Sequence, residues 1–271
     1  MKVNVLSRVG ILSSHQFLSN PDEIENLLVK LGYRNCSILP DGTVNSRGDI
    51  EIIDDLIGDD GYFLVKFGDV EGKFFCIQQQ KLKFLEGSPK NVGEDFVCNY
   101  CRNLTSLKGS PQYVYGDFAC SSCDKLTSLE GCCQEVGSFT CMNCKNLTSL
   151  KGAPKVIFDT FTCSDCLNLK SLQYAPQKVG GNFDCRSCNG LTSLQGSPQK
   201  VGGVFYCGWC KNLSSFEGCP KTLKSLVCND CPKLTSLEGS PEKLTRGIFC
   251  DYQLSEEAVK KYGSKKVAVN E

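Results

Sequence analysis

The sequence predicts a repeat β-solenoid: nine coils of about 22 residues with a parallel sheet, preceded by a small α+β N-terminal cap. Two observations carry this. A cysteine recurs at Cys76, Cys98, Cys120, Cys141, Cys163, Cys185, Cys207, Cys228 and Cys250, with spacings of only 21 or 22. Around each lies the same apolar text, so the period belongs to a structural unit and not to composition. A fixed period in this range is the signature of stacked units that contact only their neighbours.

Each coil reads in six inward columns, counting the lead cysteine. An aromatic two residues before the lead cysteine shares its face of a short strand. These are Phe74, Phe96, Phe118, Phe139, Phe161, Phe183 and Phe205, then Leu226 and Ile248. A ladder residue follows three after the lead cysteine, and is cysteine in seven coils. Two leucine columns come next, Leu104 and Leu107 in the second coil, Leu191 and Leu194 in the sixth. The last column is Val92, Val114, Val136, Ile157, Val179, Val201, Leu223 and Leu244. Gly and Pro, as at Gly196 and Pro198, punctuate the turn. The inward groups of one coil cannot offset the entropy of ordering its backbone, so coils must stack. Stacking sets each strand beside its copy at about 4.8 Å. The Leu-Thr-Ser-Leu arm is expected to form a second strand.

This text resembles the leucine-rich repeat, with Phe183 and Cys185 at its paired strand positions and Cys188 at its Asn/Cys ladder position. It is more similar to repeats of uncharacterised tailed-phage and bacterial proteins. Those combine the text Leu234-Thr-Ser-Leu-Glu-Gly-Ser-Pro241 with Val179-Gly-Gly-Asn-Phe-Asp-Cys185. The resemblance implies a solenoid and, by analogy, a viral factor that binds and modulates, or inhibits, a host or defence protein. The return segment is too short and too rich in Gly, Ser and Pro for a helix.

The ends differ from the coils. Residues 1–64 read as an α+β capping segment, 65–254 as the solenoid, and 255–271 as a capping helix and tail. Asn20-Pro21-Asp22-Glu23 is a helix start, with Asn as N-cap and Pro at the first position. Gly32 ends that helix, Asp41-Gly42 is a hairpin turn, and Ile50 with Ile52 suggests a strand. The ladder position holds Gln79 in the first coil and Gln253 in the last. Ser255 is expected to cap a helix through Tyr262 that Gly263 stops, with 264–271 as a mobile tail.

Lys+Arg and Asp+Glu are 30 each, so the formal net charge is zero, which argues against a polyanion-binding surface as the main role. No apolar run of 18 residues exists, so no membrane role is expected. Residues 1–8 lack an apolar core, so no signal peptide is expected and the location reads as cytoplasmic (the host cytoplasm if the protein is viral). Twenty cysteines in a chain of this length read as reduced, buried, small hydrophobes rather than as a disulfide scaffold. Cys133 and Cys219 fall at turns, where exposure is expected. Seven Cys-x-x-Cys pairs also admit a zinc-stabilised structural scaffold, since coils bring thiols together. A redox dithiol would need an electropositive, partly exposed site, which inward columns do not offer.

No catalytic constellation is present, and the chain reads as a non-enzyme without a cofactor. His15 is the only histidine, and no phosphate-binding glycine motif stands between strand and helix. Function then falls to side chains that alternate outward around the lead cysteines. These rows vary from coil to coil while the inward rows do not. Tyr100, Asp165, Asp184, Arg186, Tyr206, Trp209, Asp230, Asp251 and Tyr252 make up the expected partner-binding set. Aromatic and Arg anchors in a polar surround are the composition of a protein-binding hot spot. The bland alternative packs Trp209, the only tryptophan, against a loop or the N-terminal segment. A strip of Arg102, Lys125, Lys145, Lys211 and Lys233 could track phosphates, although such strips are usually solvated edges.

Overall fold

A computed structural model describes residues 16–270. It is a parallel β-solenoid of about ten turns at a spacing of about 22 residues. One side is an eleven-stranded sheet that runs the length of the stack. Its core strands are Phe74–Phe75, Phe96–Val97, Phe118–Ala119 and their successors, each in parallel register with the next. The aromatic column stacks inside it. From Phe74 to Phe205, successive ring centroids lie 5.0–5.6 Å apart. Both leucine columns and the valine column are buried beside them.

The second row of strands is not where the sequence places it. Leu-Thr-Ser-Leu is irregular backbone, and the strands are formed by the valine column, as Asn91–Val92 and Lys178–Val179. The two leucines of each arm stand three apart, and both point inward, as at Leu104 and Leu107. Period-two alternation would send one of them to solvent, so the arm turns instead. The valine row is interrupted between Tyr113–Val114 and Glu135–Val136, leaving a five-stranded and a four-stranded sheet. The interruption falls in the shortened coil that carries Cys132 and Cys133.

In four coils a glycine (Gly93, Gly137, Gly180, Gly202) follows the valine column at the corner between the two rows. A Cβ on Gly180 would lie 2.0 Å from the Phe158 carbonyl oxygen, and one on Gly202 equally close to that of Gly180. Leu223 and Leu244 are followed by Lys224 and Thr245, and there the corner is absent, although Tyr115 and Phe158 hold the same position in coils that keep it. The two rows then fuse into the long strands Thr222–Val227 and Lys243–Asp251.

The ends carry two corrections. Part of the expected 1–64 capping segment belongs to the stack: Val44–Ser46 and Ile50–Glu51 pair in parallel with Phe67–Val70 and Phe74–Phe75, so the stack begins inside the expected cap. What caps it is helix α1, Pro21–Lys30, with Asn20 Oδ1 accepting from the backbone of Asp22 (2.9 Å) and Glu23 (3.4 Å). Gly32 follows at φ +90°. The hairpin through Asp41-Gly42 pairs Cys36–Ile38 with Val44–Ser46, and Tyr33 Oη donates to the Glu51 carbonyl at the sheet edge. At the other end, helix α2 spans Tyr252–Tyr262 with Asp251 at its N-cap position, one turn earlier than Ser255. Ser255 Oγ instead donates to the Tyr252 carbonyl (2.6 Å). The expected tail is a strand, Val267–Asn270, parallel to Lys243–Asp251, and α2 is the crossover between them. Its alternating Val267 and Val269 explain why it joins the sheet.

Candidate functional site

The thiols are structural in their bonding. Each ladder thiol donates to the carbonyl of the lead cysteine one coil back: Cys123 to Cys98 (3.2 Å), Cys166 to Cys141 (3.1 Å), Cys188 to Cys163 (3.1 Å). Burial pushes the Cys207 and Cys228 thiols well above the ordinary range, and Cys231 up to about 11. All twenty cysteines are free thiols, and all but Cys36 and Cys219 are buried. Cys133, expected at an exposed turn, is 4% exposed, its Sγ 3.7 Å from that of Cys132. Among the described residues no group of three or more His, Cys, Asp or Glu side chains is placed to hold a metal ion. His15 lies outside the described residues.

The outward face is built by a backbone feature that the sequence reading missed. The residue before each ladder position is held in the left-handed region: Gln78, Tyr100, Ser122, Asn143, Asp165, Ser187, Trp209 and Asp230, at φ 53–61°. The chain must reverse between two inward cysteines only three apart, and this conformation does it. Its amide then donates along the stack, as from Trp209 N to Asn229 O (2.8 Å). Asn and Asp tolerate that region, while bulky side chains rarely adopt it. The recurrence of Asn143, Asp165 and Asp230 in one column was the available signal. Tyr100 and Trp209 are the exceptions, and both are exposed, Trp209 by 44%.

The expected set divides accordingly. Asp184 does not point into solvent. It is 6% exposed and lies under Arg186, accepting from Nε (3.0 Å) and Nη2 (2.6 Å). That hydrogen bonding holds the guanidinium above its ordinary pKa. Arg186 in turn stacks 4.9 Å from the Tyr206 centroid and 6.0 Å from that of Trp209. Asp184, Arg186, Tyr206 and Trp209 are therefore one cluster over two coils, and Trp209 packs on this arginine rather than on the N-terminal segment. Asp165 is half-buried one coil back. Asp251 accepts from the backbone of Asp230 (2.8 Å) and Cys231 (3.1 Å), so it closes the left-handed row as a structural cap. Tyr252 opens α2 and is 79% exposed. Tyr100 stands apart, five coils from Trp209.

The basic strip is partly offset. Arg102 and Lys145 both approach Asp124 (3.8 and 3.7 Å), and Lys233 Nζ donates to Asn212. Aromatic side chains also stand exposed off this face, at Tyr113, Tyr115, Phe158 and Tyr174. Tyr174 occupies the turn position held by glycine in the neighbouring coils, at φ 70°.

Fold and face together define a β-solenoid with a sealed thiol core and one variable, outward side-chain array. No protein-family model, curated protein or solved structure matches the chain. No helix among the described residues is long and apolar enough to cross a membrane.

Proposed function

We propose that this chain is a non-enzymatic protein-binding solenoid that engages a partner through the Arg186, Tyr206 and Trp209 cluster. The observation that carries this is Trp209 itself. The backbone there suits Asn, Asp or Gly, yet the position holds the bulkiest side chain available, exposed and braced by the half-exposed Arg186, which buried Asp184 holds in place. Strain of this kind costs of order 1–3 kcal/mol and persists where it serves a function. A pre-positioned aromatic flanked by arginine is the composition of a hot spot. The resemblance to tailed-phage repeats makes the partner a host protein, such as a defence component met in the cytoplasm, whose activity the solenoid modulates.

The test is capture of the partner from the native host by the full chain and by Trp209→Asn. Asparagine fits the left-handed backbone, so the melting midpoint should stay within about 2 °C or rise. Capture should be lost. A folded Trp209→Asn that still retains the partner removes this face from recognition. A nucleic-acid reading rests on the lysine strip alone, and its acid partners weigh against it.

A further inference from the structure

We propose that the outer edge of strand Cys36–Ile38, with the groove between it and α1, is a docking site for an extended apolar segment of a protein partner. This strand ends the five-stranded sheet, with Val44–Ser46 on one side and no strand of the described residues on the other. Its bonding shows which groups are open. The Leu39 amide donates to the Thr43 carbonyl (2.9 Å), and the Arg47 amide to that of Asn35 (3.1 Å). Bonded pairs alternate along an antiparallel ladder, so Asn35, Ser37 and Leu39 face the hairpin partner. Cys36 and Ile38 stand at the positions between, opposite Ser46 and Val44, and turn their amides and carbonyls to the free edge. Neither amide finds an acceptor among the described residues. The longer sheet is treated differently, since Tyr33 Oη donates to the Glu51 carbonyl on its terminal strand.

Beside this edge lies a groove of about 530 Å³, inside the range of roughly 300–1,000 Å³ that ligand sites occupy. Helix α1 lines it with Leu28 and Val29, and the strand lines it with Cys36 and Ile38. Val29 is 66% exposed, a large apolar side chain left in water. Glu25 and Arg34 are the charged members, one of each sign, so the groove selects for no net charge. These features choose the occupant. The open groups of Cys36 and Ile38 stand two residues apart, about 6.8 Å at about 3.4 Å per residue, which is the repeat of amides and carbonyls along one side of an extended chain. Main-chain bonds to the edge then give affinity, and alternate side chains fall into the apolar groove. A helix brings no free backbone groups along its length, and a small ionic ligand would leave the apolar lining unused. The site lies at the first end of the stack and does not depend on the Trp209 face.

Cys36 lines the groove and is one of two cysteines that are not buried, so its alkylation reports the site, with Cys219 as internal control. The full chain is treated with iodoacetamide in the presence of acetyl-Lys-Val-Thr-Val-Thr-Val-Lys-amide and, separately, of the same peptide methylated on its central amide nitrogens. At about ten times its Kd the first peptide should slow Cys36 alkylation about tenfold by occupancy. It should leave Cys219 unchanged and slow hydrogen exchange at the Cys36 and Ile38 amides. The methylated peptide should do neither. Ile38→Pro deletes an amide that makes no ladder bond, and proline is tolerated where its missing N–H faces out from an edge. It should abolish protection in a folded chain. Val29→Ser, at an exposed position, should weaken protection with unchanged melting. No protection by the first peptide, equal protection by both, or full protection in folded Ile38→Pro and Val29→Ser overturns the site. So does slow exchange at Cys36 and Ile38 in the free chain, whether constant, from cover by its own residues, or rising with protein concentration, from a second copy. Trp209→Asn should be protected like the unaltered chain, so failure of either face leaves the other standing.

Discussion

At Arg186 a surface side chain and a buried one depend on each other. Asp184 is sealed beneath the guanidinium, and a buried carboxylate without its partner is costly. Arg186→Ala should therefore destabilise the fold by about 2–3 kcal/mol, more than surface truncation normally does. Adding Asp184→Asn should recover most of that loss, because the stranded charge is gone. Urea unfolding of the single and double variants checks this; a neutral Arg186→Ala would mean that Asp184 finds other solvation. The pair also dictates how recognition is probed. Removing Arg186 confounds binding with stability, whereas changing Trp209 does not. Asp251 shows the opposite case, an acid that looks like a surface determinant and works as a backbone cap.

Among elements, the thiol ladder is the one that titrates. Folding raises the pKa of Cys231 and Cys250 from the ordinary value near 9 to about 11, and that of Cys141 to about 12. The sign follows from proton binding. Below pH 9 folded and unfolded thiols are both protonated, so nothing changes. Above it the unfolded chain releases protons that the folded chain keeps, and stability falls until the folded thiols titrate as well. Each such cysteine costs about 1.4 kcal/mol per pH unit within that window. The urea midpoint under reducing conditions should therefore hold from pH 7 to 8.5 and drop steeply by pH 10. Equal midpoints at pH 8.5 and 10 would show that the thiols are not sealed. Neither side of this balance needs a metal, since the ladder sulfurs are occupied as donors to the coil behind.

Across the whole molecule, a stack of open coils has two raw ends. α1 and Tyr33 cover the first, and α2 with Val267–Asn270 covers the second. Parallel edges left bare invite pairing with other chains. Removing residues 264–271 exposes the edge of Lys243–Asp251, and light scattering should then show more self-association than for the full chain. A monomeric truncation would place the protective role in α2 alone. The ends also account for the behaviour of the coils nearest them. The long fused strands Thr222–Val227 and Lys243–Asp251 form the last turns, and Tyr206 of the Trp209 cluster pairs with Val227 beside them.

The period, the inward columns and the burial of the cysteines were legible from the residues alone. Burial acts identically on every coil, so nine copies report the same inward constraint. The start of α1 and the hairpin were legible too, because Asn20, Pro21 and Gly42 act through local backbone chemistry. Other features required neighbours in three dimensions. The second strand row moved from the leucine arm to the valine column because both leucines must face inward. The stack absorbed Val44–Ser46 and Ile50–Glu51, which lack the lead cysteine but set Ile50 and Ile52 in the inward columns of Phe74 and Cys76. The members of the outward set sorted into cap, buried counter-ion and exposed anchor only by contact. Local sequence specifies what a residue must hide; which exposed groups meet one another is decided by how the coils are laid side by side.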